Sequence, residues 1–79
     1  MKLNDYFETS DFALATTLLC LGFVIDCLDK TNPSKATFIF KRTKELENTV
    51  QAFWNNQLKV NPKDFFNNQK ELKSRIYSN

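Results

Sequence analysis

Between Lys35 and Arg42, Ala36, Phe38 and Phe40 recur at a spacing of two, with Thr37, Ile39 and Lys41 interleaved. Side chains of an extended chain point alternately to opposite faces, so this period predicts a strand with two distinct sides. It lies mid-chain with a helical pattern before and after it, which makes it the expected centre of the fold.

The same reading extends to both ends. Leu3, Tyr6 and Phe7 predict a first strand over residues 2–8. Thr9, Ser10 and Asp11 then offer oxygens to the free amides of a helix start. A helix over 11–21 is apolar around much of its circumference, through Phe12, Leu14, Ala15, Leu18, Leu19 and Leu21, and is expected to be buried. Gly22 suits the left-handed residue that stops it. Residues 23–29 predict a second strand, with Phe23, Ile25 and Cys27 on one side. A polar turn through Asn32, Pro33 and Ser34 leads to the mid-chain strand, so these two strands form an antiparallel hairpin.

Thr43 caps a predicted helix over 44–57, with Leu46, Val50, Phe53 and Trp54 as its apolar stripe. Asn61 caps a third over 62–77, where Pro62 suits the first helical position. Phe65, Gln69, Leu72 and Ile76 form its core stripe, while Phe66, Lys70, Lys73 and Tyr77 occupy another side. The expected fold is α+β, a small single domain over residues 1–79 with order β-α-β-β-α-α. Its three-stranded sheet has order 1-3-2 and packs with three helices.

Composition adds the means of stabilising so short a chain. Seventy-nine residues include eight Phe, two Tyr and one Trp, and each such ring buries on the order of 150–250 Å². Charge is divided unevenly: two lysines oppose five acids in residues 1–33, net −3, and nine cations oppose four acids in 34–79, net +5. The run 12–25 is too short and polar to span a bilayer and lacks a basic leader and cleavage site, which predicts a cytoplasmic protein with no membrane partner. Cys20 and Cys27 form neither a CxxC pair nor a disulfide framework and are expected to be buried free thiols.

Catalytic chemistry finds little support. There is no His, hence neither the commonest general base nor the commonest zinc ligand. No Gly-rich phosphate cradle occurs, and Asp26 with Asp29, or Glu45 with Glu47, diverge in direction. The expectation is a non-enzyme without a cofactor. Two basic groups remain as candidate binding residues. Lys35, Lys41, Arg42 and Lys44 mark the ends of the mid-chain strand and the start of the second helix, where cations beside helix amides suit a phosphate. Phe66, Lys70, Lys73 and Tyr77 interleave aromatics and cations at helical spacing. Each also suits a solvated face with its rings in the core. Phe38 and Phe40 resemble base-stacking rings only if their sheet face is bare, and helices in this number predict that it is covered.

Several stretches resemble a known family. They are Tyr-Phe-Glu-Thr-Ser-Asp-Phe-Ala-Leu-Ala at 6–15, Cys-Leu-Gly-Phe at 20–23, Phe-Ile-Phe at 38–40, Ala-Phe-Trp-Asn-Asn at 52–56, Val-Asn-Pro-Lys-Asp-Phe-Phe at 60–66 and Lys-Glu-Leu-Lys-Ser-Arg-Ile-Tyr at 70–77. Together they are similar to small prokaryotic and phage domains of unknown function. The resemblance implies a single small domain and a phage or mobile-element setting, and assigns no activity, cofactor or binding residue. The leading expectation is a binding module that contacts DNA or RNA through its basic second half. The alternative is a protein-interaction adaptor or phage-type inhibitor that docks on a larger protein or on itself.

Overall fold

The computed structural model describes residues 5–32 and 34–77, in the order β1 (Tyr6–Thr9), α1 (Phe12–Cys20), β2 (Ile25–Asp29), β3 (Thr37–Lys41), α2 (Lys44–Trp54) and α3 (Pro62–Tyr77). The sheet order is β1-β3-β2 and both outer strands run antiparallel to β3. The mid-chain strand is therefore central, and the α+β fold and strand order are those expected. The part of the predicted first strand before Asp5, and the Pro33 of the predicted turn, lie outside the described residues.

Each helix start is built as its sequence signals. The Asp11 carboxylate accepts from the Leu14 amide at 3.0 Å, the Thr43 hydroxyl from Leu46 at 3.0 Å, and the Asn61 side chain from Lys63 at 2.8 Å. Such caps satisfy amides that the first turn leaves without partners. α1 ends at a left-handed Gly22 (φ 99°), where the Gly22 amide bonds the Leu19 carbonyl and Phe23 bonds Leu18. This double bond pattern is the usual left-handed helix stop. α2 ends the same way at Asn56 (φ 58°), whose amide bonds Phe53 while Gln57 bonds Ala52. Asn tolerates that conformation better than other residues with a Cβ, so α2 stops at Trp54, three residues short of the expected Gln57.

The helices line one face of the sheet. Phe38 and Phe40, at 1% and 0% exposure, meet Leu14, Ala15 and Leu18 of α1, Leu46 of α2 and Leu72 of α3 in a single core cluster. α1 packs against α2, α3 and β1, and the hydroxyls of its buried Thr16 and Thr17 bond the carbonyls of Phe12 and Ala13 at 2.8 Å. A helix buried this deeply tolerates Thr because each hydroxyl is satisfied within the helix.

β2 departs from the simple alternation. Ile25 pairs with Phe40 and Cys27 with Ile39, so Asp26 is an extra residue in the ladder. Such a bulge reverses the parity of everything beyond it. Ile25 and Leu28 thus lie on the core side, while Cys27 turns outward and is exposed. The expectation of a buried Cys27 beside Ile25 is corrected by this one residue. Cys20 is half-buried, with the Asn68 amide 3.5 Å from its sulfur. The outer sheet face then carries Tyr6, Glu8, Cys27, Asp29 and Lys41, all exposed, around a half-buried Ile39.

Candidate binding surface

α3 turns by about 100° per residue, so positions 66, 70, 73 and 77 fall within an arc of about 60°. Phe66, Lys70, Lys73 and Tyr77 therefore form one straight stripe about 16 Å long, beside the buried side that holds Leu72. The core takes neither ring: Phe66 is 55% exposed and Tyr77 81%. The Lys70 ammonium sits 5.2 Å from the centre of the Phe66 ring, an attractive arrangement that also steadies both side chains. Among the described residues no carboxylate pairs with Lys70 or Lys73. Asp64 and Glu71 of the same helix point more than about 100° away from the stripe. The result is a cationic and aromatic surface without an internal anion.

The other predicted group is dispersed. Lys41, Arg42 and Lys44 stand where β3 passes into α2. Lys35 lies at the opposite end of β3, roughly 20 Å from Lys41 along an extended chain. The Arg42 guanidinium is held by the Glu47 carboxylate and the Tyr6 carbonyl, each at 3.1 Å, and lies 5.9 Å from the Phe7 ring. It ties β1 to α2. The first turn of α2 carries Glu45 and Glu47, and its Leu46 amide is taken by Thr43. Two carboxylates beside the amides repel a phosphate where a phosphate would sit.

Lys35 instead borders a groove of about 560 Å³, set between the β2–β3 loop, the start of α1 and the end of α3. Phe12, Ala36, Phe38 and Ile76 supply its apolar lining, Tyr77 stands at its side, and Lys30, Lys35 and Ser10 give it a polar rim. The Lys30 amine donates to the Arg75 and Ile76 carbonyls at 3.3 Å, which fastens the loop to the last turn of α3. Lys30 and the groove escaped sequence reasoning, since the lining comes from three segments far apart in the chain. Among the lining residues only Lys35 and Tyr77 belong to the candidate binding residues expected from the sequence.

The Asp29 carboxyl, next to Lys30 in sequence, is held below its usual range, first by the Thr31 hydroxyl and then by the Thr31 amide. Trp54 is another large exposed ring, 58% open at the end of α2 and packed edge-on against Phe53 at 5.0 Å. Among the described residues no group of three or more Cys, Asp or Glu converges as metal ligands do, and no helix is long and apolar enough to cross a membrane.

No curated protein and no solved structure matches the chain. One family model does, over residues 4–78, and that span is nearly the whole sequence. The chain accordingly belongs to the family described as a domain of unknown function, DUF5659.

Proposed function

We propose that this domain is a non-catalytic binding module that docks on a larger protein through the α3 stripe. The observation that carries the reading is the exposure of Phe66 and Tyr77 on one line with Lys70 and Lys73. Large rings gain most when removed from water, and they dominate the energetics of protein interfaces. Leaving four aromatics, Tyr6, Trp54, Phe66 and Tyr77, exposed on so small a domain costs solubility unless a partner covers them. Binding driven by phosphates asks instead for pooled cations. Here Arg42 is engaged in holding β1 to α2, and Lys35 stands apart from Lys41. The adaptor or phage-type inhibitor role fits this surface, and the proposal takes with it the prokaryotic or phage setting that the resemblance implies and a cytoplasmic location.

A photo-crosslinking amino acid at position 66 tests the reading in cells of the source. The expected result is a discrete protein adduct that disappears when Lys70→Glu and Lys73→Glu are added. Light scattering on the purified domain shows whether that partner is a second copy. Titration with short DNA and RNA at two salt concentrations is the control. Nucleic-acid affinity that strengthens as salt falls, with no protein adduct, overturns the proposal.

A further inference from the structure

We infer that the groove beside Tyr77 is the anchor pocket for an acidic peptide segment of the partner. It takes one bulky apolar side chain of that segment, while flanking carboxylates meet Lys35 and the lysines of α3. The inference rests on the docking reading above and names the chemistry of the docked segment.

The lining gives the first reason. Phe12, Ala36 and Ile76 are apolar, Lys30 and Lys35 lie at the rim, and among the described residues neither Asp nor Glu lines the groove. The neighbouring carboxylates of Asp11 and Asp29 keep their charge but are tied into the α1 cap and the Thr31 turn and do not line the groove. The charged lining residues are thus both cations, and an apolar lining under a cationic rim suits an apolar group flanked by anions. Phosphates alone would satisfy the rim and leave the lining wet.

Shape is the second reason. A volume of about 560 Å³ exceeds the needs of a single side chain and falls within the range of ligand sites, about 300–1,000 Å³. The groove is open to solvent rather than enclosed, as a peptide crossing it requires. Continuity is the third. Tyr77 borders the groove and ends the α3 stripe, with Lys73 one turn before it and Lys70 two. A chain leaving the groove along α3 meets these cations in succession. The Lys30 bonds to the end of α3 hold the two parts of the surface in one frame.

The test uses the full chain, isotope-labelled for NMR, and three blocked ten-residue peptides at low salt. The first is Glu- and Ser-rich with one central Trp, the second has Ala for that Trp, and the third has Lys for every Glu. The Trp peptide is expected to shift the amides of Ala36, Ile76 and Tyr77. The Ala peptide is expected to bind roughly tenfold more weakly, the usual scale for losing an anchoring ring, and the Lys peptide not at all. Lys35→Glu, on an exposed loop residue, weakens the Trp peptide more than the Ala peptide, whereas Lys70→Glu weakens both. Equal affinity for the Trp and Ala peptides, with shifts confined to residues 66–73, overturns the groove assignment and leaves docking through α3 standing. Failure of both acidic peptides, or tighter binding of a ten-nucleotide single strand at Lys35, overturns it as well. The crosslink from position 66 does not involve the groove, so it judges the docking reading separately.

Discussion

Asp29 shows how much a single exposed carboxylate can be shaped by its own turn. Its oxygens accept from the hydroxyl and amide of Thr31, and these bonds favour the charged form. The folded carboxyl therefore titrates below its unfolded value of about 3.9. The stabilisation is complete above that value and disappears as pH falls through the depressed folded value. Thr31→Val removes the larger cause and keeps the amide bond. An NMR titration of Asp29 is expected to move upward toward the ordinary value in that variant; an unmoved midpoint would show that the hydroxyl contributes nothing. Arg42 makes a related point. As a residue type it reads as a phosphate ligand, yet its position gives it Glu47, the Tyr6 carbonyl and the Phe7 ring.

At the scale of elements, capping chemistry is local and was therefore legible. Asp11, Thr43, Asn61 and Gly22 each do what their residue type does at a helix end. The Asn56 stop of α2 is also local, but Asn-Asn at 55–56 carries no stronger signal than the helix that precedes it. The bulge at Asp26 is different, because it depends on how β2 lies against β3 and not on β2 alone. It makes a checkable distinction between two free thiols. Cys27 is expected to react rapidly with a maleimide in the native protein, while Cys20, half-buried beside Asn68, reacts several-fold more slowly. Equal rates, or a faster Cys20, would mean that β2 lacks the bulge.

For the whole molecule, the decisive feature is a sheet covered by helices on one side. Phe38 lies in the core, whereas its neighbour Ile39 lies outside the core cluster. Phe38→Ala is expected to cost about 3–5 kcal/mol and Ile39→Ala less than about 1.5 kcal/mol in chemical denaturation. A domain of this size has only about 4–12 kcal/mol in total, so the Phe38 variant falls close to unfolding. Similar losses at the two positions would show that both faces are covered. The same one-sided packing explains the surface of α3. Leu72 occupies the available core, and the stripe beside it is left to water or to a partner.

By itself the sequence determined the element types, the helix starts and the placement of Phe38 and Phe40 in the core. Those follow from period, caps and the cost of wetting a ring, all of which act over a few residues. It also marked Phe66, Lys70, Lys73 and Tyr77 as one line, since helical spacing alone aligns them. Only the tertiary structure decided that both rings of that line stay exposed, that Arg42 is engaged, and that Cys27 faces outward. It alone made the groove, by bringing Ser10 and Phe12, Lys30, Lys35 and Phe38, and Ile76 and Tyr77 together. These outcomes depend on which helix faces fill the core and on one extra residue in a ladder. They are set by contacts between distant segments, and periodicity along a chain carries no record of them.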